Sequence, residues 1–302
     1  MRPLRINAYI LLADPSYLRE SLSAYYPFVD RIVLSYDRTS TSWTGTPLPV
    51  AQCLAIIAEI DTERKCVHAP GDFAQVERHP LENDTFQRQA ALDVASAGAD
   101  WVVQLDTDEV MLDPHAFFAM LDRADRAGAS GLDFPSRWLY TRNDRGRYLE
   151  ASSRFWRPAG SFPGPLAVKA GTRLLHARQA EADLFRVDLR SRNTDPWRPR
   201  DAVVNAVVPS DSAVLHFSWV RTPEVIRRKF RWSGHTASMK PPLVLRRWLR
   251  RTKHPLLAVI TAPLRRRDDG WYRLVSIPEP PGGAPINVVI DSIADSGEPR
   301  RS

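Results

Sequence analysis

Trp101-Val102-Val103-Gln104-Leu105-Asp106-Thr107-Asp108-Glu109 is a short apolar run that ends in carboxylates. A run of this length suits a buried β-strand, whose side chains alternate between faces. In extended geometry Asp106 and Asp108 project to the same side. Two carboxylates at a strand end cannot be buried unpaired. A hard divalent cation, Mg²⁺ or Mn²⁺, bridging them to phosphate oxygens is the natural neutraliser.

Strand and helix signals alternate on the N-terminal side of this run. Arg5–Ala13 reads as a strand, and Asp14-Pro15-Ser16 starts a helix over Tyr17–Tyr26 that Pro27 closes. Arg31–Tyr36 is a second strand ending at Asp37, Pro49–Ile60 a helix, and Lys65–Ala69 a third strand. A helix over Asp84–Ala97, capped by Asn83 or Asp84, then leads to Trp101–Leu105 as the fourth strand. The alternation predicts an α/β chain with a Rossmann-like, mostly parallel sheet and helices on both faces. Ligands bind such sheets beyond the carboxyl ends of the strands, where Asp37 and the Asp106/Asp108 pair fall.

Beyond a helix over Pro114–Ala127 the texture changes to a mixed β region. Leu132–Tyr140 and Tyr148–Arg157 read as a hairpin joined through Arg142–Gly146. Short strands follow at Leu166–Lys169 and Ala213–Trp219, and the polar Arg190–Arg200 reads as a mobile loop. A basic helix starts at Pro223, and the last dozen residues read as a frayed tail. The expected division is a nucleotide-binding α/β half over 1–130, an acceptor-side mixed half over 131–235, and a basic helical C-terminal extension over 236–302.

Composition narrows the function classes. The 302 residues carry a net charge of +7, yet residues 221–274 hold 15 Lys/Arg against 3 Asp/Glu and the remainder is net negative. Basic character is therefore regional and gives no general case for nucleic-acid binding. Cys53 and Cys66 offer neither metal-site spacing nor a disulfide framework, and read as small core residues of a cytoplasmic protein. No apolar run reaches the ~18 residues of a membrane span. Within 240–267, Leu243–Arg251 places Leu and Trp on one helical side and Arg on the other, a pattern for peripheral contact with the inner face of a membrane. Packing against the domain explains the same pattern.

Candidate site residues extend beyond the acidic strand end. Asp37 can accept hydrogen bonds from a ribose or base, or cap a turn. Arg88 can hold a phosphate bidentately, or sit on a helix surface. His216, within an apolar strand, is either a core residue or a metal ligand. Lys229 and His235 suit a diphosphate or a solvated helix face.

Taken together, Ile32–Asp37 with Ser40, Ser42 and Thr44, then Thr85–Arg88, then Gln104–Glu109, resemble the GT-A glycosyltransferases related to glycosyltransferase family 2. The resemblance covers roughly residues 5–235. It implies a GT-A type fold and metal-dependent transfer of a sugar from a nucleotide-diphosphate donor to a glycan, polymer or lipid-linked acceptor. By resemblance, Asp37 reads the nucleoside, Asp106 lies near the ribose, and Asp108 ligates Mn²⁺ or Mg²⁺ on the diphosphate. The segment from His216 through Lys229 and His235 is similar to the part that supplies a late His ligand. Ser42 departs from the second Asp of many family members, and no Glu-Asp pair identifies a catalytic base. Asp106-Thr107-Asp108-Glu109-Val110 also fits a haloacid-dehalogenase-type phosphohydrolase with Asp106 as nucleophile. A non-catalytic basic membrane-binding protein is the third alternative.

Overall fold

The computed structural model describes residues 2–195, 198–199, 201–232, 241–264 and 270–278. His235 lies outside the described residues. Within them the chain forms β1 (Ile6–Leu11), α1 (Leu18–Tyr25), β2 (Arg31–Asp37), α2 (Val50–Ile60), β3 (Cys66–Gly71), α3 (Pro80–Ser96) and β4 (Trp101–Gln104). There follow β5 (Glu109–Met111), α4 (Pro114–Arg126), β6 (Gly131–Asp133), β7 (Ser136–Arg142), β8 (Tyr148–Ser153), β9 (Arg157–Pro158), β10 (Ala167–Lys169), β11 (Leu174–His176) and β12 (Gln179–Ala180). The remaining elements are β13 (Leu184–Asp188), β14 (Ala206–Val207), β15 (Val214–His216), α5 (Pro223–Trp232), α6 (Pro241–Lys253), α7 (Pro255–Thr261) and β16 (Trp271–Val275).

The chain is α/β and Rossmann-like. Its large sheet has the order β14-β13-β6-β10-β4-β1-β2-β3. β1 pairs in parallel with β2 on one side and β4 on the other, and β10 runs antiparallel between β4 and β6. The strand order reverses between β1 and β4, which opens a crevice at their carboxyl ends. Both faces are covered, so the central strands are mostly apolar, with Asn7, Ser35 and Gln104 buried among them. Ile10, Ile32, Leu34 and Val103 meet Leu18, Leu22, Ile57, Phe117 and Leu121 from α1, α2 and α4. Tyr9, Leu11, Val33 and Val102 meet Ala91, Leu92 and Ala95 of α3 on the other face.

A second sheet, β16-β8-β7-β15-β5, stands beside the crevice and packs on Tyr17, Leu139, Tyr148, Leu215 and Phe217. Its β5 follows the acidic turn directly, with His216 of β15 in register with Glu109. The C-terminal segment belongs to this layer. β16 pairs antiparallel with β8, and α6 is anchored by fully buried Trp248.

Several sequence expectations change here. Leu132–Tyr140 is two strands in different sheets, because Pro135 has no N–H to give a ladder and turns the chain. Tyr148–Arg157 is interrupted at Arg154–Trp156, where Phe155 and Trp156 both take positive φ (62° and 57°). α3 starts at Pro80, with His79 rather than Asn83 or Asp84 as its cap, since Pro favours the first helical turn. Asp84 is thereby freed to face Arg88, one turn on. The described part of the Arg190–Arg200 loop is exposed at Ser191, Arg192 and Pro199 but held to the domain by side chains: Asp188 accepts hydrogen bonds from Thr194, and Asn193 accepts one from Arg186.

Candidate active site

After β4 the chain leaves extended geometry, with Thr107 and Asp108 in a turn before β5. Asp106 and Asp108 therefore reach the same cavity from a turn, not from one side of an extended strand. Each carboxylate meets its own cations. Asp106 accepts from Arg88 Nη2 at 2.8 Å, and Arg88 Nε donates to Asp84 at 2.6 Å. The bridging guanidinium is buried, and both carboxylates hold it well above its ordinary pKa despite desolvation.

Asp108 lies at the centre of the second cluster. Lys229 Nζ from α5 is 2.9 Å from its Oδ2, Arg221 Nη2 is 3.5 Å from the same oxygen, and His216 Nε2 is 3.5 Å from Oδ1. Burial alone would raise the Asp108 pKa, but Lys229, His216 and Arg221 hold it well below the ordinary carboxylate value. Arg221 also reaches Asp14 at 3.1 Å, and Lys229 donates to the Ser218 hydroxyl at 2.7 Å. The turn is fixed from behind by Glu109, which is fully buried, paired with both terminal nitrogens of Arg178, and accepts from Asp106 N–H at 3.0 Å. Glu109 is thus part of the scaffold.

Members of these clusters, other than Arg221 and Glu109, line a cavity of about 660 Å³, within the usual range for a small-molecule site. Trp43, Asp84, Arg88, Asp106 and Asp108 contribute to it from the first half of the chain. Trp138, Tyr140, Trp219 and Phe230 make an aromatic wall, and Asp195 adds a carboxylate. Of the sequence candidates, the structure brings Arg88, Asp106, Asp108, His216 and Lys229 together. Asp37 is the exception among the described ones. It is absent from the cavity lining, and its oxygens accept from Thr39 N–H and hydroxyl, Thr41 hydroxyl, and the N–H groups of Phe73 and Ala74. Burial works to raise its pKa, yet the Thr39 hydroxyl and those backbone N–H groups bring it down to about 2. Asp37 closes the loop after β2. Trp43 from that loop faces the cavity instead, held by its Nε1 on Gln87 at 2.7 Å.

Sequence reasoning missed Arg221, Arg178, Trp43 and Asp195. Arg221 carried one usable signal, a charge five residues past His216 at the end of an apolar strand. Arg178 sits between strands of three and two residues, too short to leave a periodic pattern.

A divalent cation fits the chemistry of the donors without a full protein cage. Asp108 and His216 offer a carboxylate oxygen and an imidazole nitrogen, a hard set open to Mg²⁺ or Mn²⁺. Among the described residues, no group of three or more His, Cys, Asp or Glu side chains forms a metal cage. Among the described residues of these ion-pair clusters, five carboxylates (Asp14, Asp84, Asp106, Asp108, Glu109) meet four permanent cations (Arg88, Arg178, Arg221, Lys229), and Asp195 adds a sixth carboxylate to the cavity. Within this set the balance is negative, so a divalent cation would favour an entering diphosphate.

No family model matches the sequence, and no similar protein was found among the curated ones. Among solved structures, the chain is similar to 4-diphosphocytidyl-2C-methyl-D-erythritol synthase from Anaerococcus prevotii, at 10% identity and a TM-score of 0.33, over 55% of this chain and 72% of that one. It is also similar to mannose-1-phosphate geranyltransferase from Thermus thermophilus, at 14% identity and a TM-score of 0.26, over 55% of this chain and 50% of that one. Likenesses of this size say nothing about activity.

Proposed function

We propose that the chain is a GT-A type glycosyltransferase that moves a sugar from a nucleoside-diphosphate donor to a glycan or lipid-linked acceptor. One observation carries this reading: Asp108, at the strand-order reversal, is in contact with His216, Lys229 and Arg221 at the wall of a cavity of small-molecule size. Asp108 and His216 would hold Mn²⁺ or Mg²⁺. When bound, the ion would offset charge that develops on the leaving diphosphate.

Each remaining role falls to a residue of this chain. Lys229 donates to the diphosphate from the far side of Asp108, and Arg88 fixes Asp106 for the ribose. Trp43 offers a flat apolar face to the nucleobase. Asp195 is the one lining carboxylate from beyond residue 130 among the described residues. That position makes it the proton acceptor for the incoming hydroxyl.

The phosphohydrolase alternative asks Asp108 to donate a proton as general acid. Three cationic or donor groups keep that carboxyl ionised, which favours a charge-binding role over an acidic one. The test is to incubate the protein with a panel of nucleotide sugars and Mn²⁺ and to follow nucleoside-diphosphate release. One donor should be consumed, and Asp108→Asn should slow its turnover by about a hundredfold or more. Equal release by the variant would remove Asp108 from the reaction.

A further inference from the structure

α7 is turned inside out relative to an ordinary surface helix. At about 3.6 residues per turn, Leu256, Leu257 and Ile260 share the outward side, while the buried positions are the small Ala258 and Ala262. Leu256 is 60% exposed, Ile260 67%, and Leu264 just beyond the helix 84%. Among the described residues, a helix that buries alanine and presents leucine outward has its apolar face uncovered.

The neighbouring turn extends the same surface. Phe155 and Trp156 take consecutive left-handed conformations, unusual for bulky side chains, and both project outward, Phe155 at 68% exposure. Trp271 joins them at ring distances of 5.9 and 5.2 Å, and Trp156 Nε1 reaches the carbonyl of Val259 on α7 at 3.4 Å. The aromatic turn and α7 are therefore contiguous. Alongside runs α6, whose exposed positions Leu243, Arg246, Arg250 and Lys253 recur at helical spacing. Arg154 and Arg157 flank the aromatic turn, and Arg265, Arg266 and Arg267 follow Leu264 in sequence.

From this surface we infer a docking site for an anionic lipid bilayer: Leu256, Leu257, Ile260, Leu264, Phe155 and Trp156 enter the acyl boundary while the α6 cations meet the headgroups. Charge selects this occupant. A second copy of the chain would bring like charges together around the apolar centre, whereas anionic headgroups complement them. The surface lies behind the aromatic wall of the cavity. Trp248 of α6 donates to the carbonyls of Tyr140 and Trp219, which line it, at 3.1 and 3.0 Å. Under the glycosyltransferase reading this orientation presents a lipid-linked acceptor at that end. Vesicle binding is measured without donor or acceptor, so it stands or falls separately.

The experiment floats the full chain with phosphatidylcholine vesicles, with and without phosphatidylglycerol, and checks oligomeric state by sedimentation. The wild type should float only with the anionic vesicles. Leu256→Ser with Ile260→Ser, and separately Arg246→Glu with Lys253→Glu, should each lower the bound fraction about tenfold while thermal unfolding is unchanged. Equal flotation with neutral vesicles, no flotation at all, or flotation that both variants retain would overturn the proposal. So would a dimer that the apolar substitutions dissociate.

Discussion

The ammonium of Lys229 lies 2.9 Å from Oδ2 of Asp108, joining the turn after β4 to α5 across 121 residues of sequence. The pair puts a protein cation on the carboxylate that the proposed metal also needs, Lys229 on Oδ2 and His216 beside Oδ1. The two cations therefore compete until a diphosphate arrives to take the lysine. Lys229→Gln should tighten Mn²⁺ binding to the nucleotide-free protein about tenfold, equivalent to about 1.4 kcal/mol. It should also weaken nucleoside-diphosphate binding. Mn²⁺ titration followed by electron paramagnetic resonance reads the first effect, and unchanged or weaker Mn²⁺ binding would count against competition.

Gly164 permits the scaffold beneath the acidic turn. Its φ is +143°, a region open essentially to glycine, and an added Cβ would sit 2.8 Å from Arg178 Cγ and 3.0 Å from its carbonyl oxygen. Gly164→Ala must displace Arg178 and loosen its pair with buried Glu109. We expect a loss of about 2–4 kcal/mol in chemical denaturation, from strain plus a weakened buried ion pair. A wild-type denaturation midpoint would contradict the role given to Arg178.

These two residues mark where the sequence stops being readable. The large sheet was legible because its strands are covered on both faces and leave long apolar runs such as Tyr9–Leu12 and Ile32–Leu34. The Asp106/Asp108 cluster, with His216 and Lys229, was legible because charge at the end of an apolar run is unusual. Arg178 and Gly164 belong to short, irregular segments whose meaning is a long-range contact, which no local period encodes. Asp37 is ambiguous for the same reason. An Asp followed by Thr and Ser at a strand end serves a ligand or a turn equally well in sequence, and its bonds to the N–H groups of Phe73 and Ala74 are long-range contacts that no local pattern encodes.

Asp133 gives the stability a pH dependence. It is fully buried, and burial pushes its carboxyl up to about 6, against the partial pull of Arg198 and Arg186. Among the described residues neither oxygen accepts an aligned hydrogen bond, although Arg198 Nη2 lies 2.9 Å from Oδ2. A folded pKa above the unfolded one means that the contribution is complete below about pH 4. It is then lost as pH rises through about 6, amounting to about 3 kcal/mol. Asp133→Asn should flatten this part of the profile between pH 4 and 7. Denaturation profiles that run parallel for the two proteins would show that Asp133 does not titrate in this window.

Asp195 is assigned to the acceptor step, so its loss should separate chemistry from donor binding. For Asp195→Asn we expect kcat to fall about a hundredfold, with the affinity for the donor nucleotide within about twofold of wild type. An equal loss of nucleotide affinity, measured by calorimetry, would place the residue on the donor side.

The central claim is that the crevice beyond β1 and β4 binds a nucleoside diphosphate through a divalent cation on Asp108. A thermal-shift panel of nucleoside diphosphates, each with and without Mn²⁺, tests it most directly. At a ligand concentration about a hundredfold above Kd, binding adds about 2.7 kcal/mol to the folded state. One nucleotide should raise the midpoint by several degrees only with Mn²⁺, and Asp108→Asn should abolish the rise. Stabilisation by inorganic phosphate alone, or by nucleotides without regard to metal or to Asp108, would contradict it.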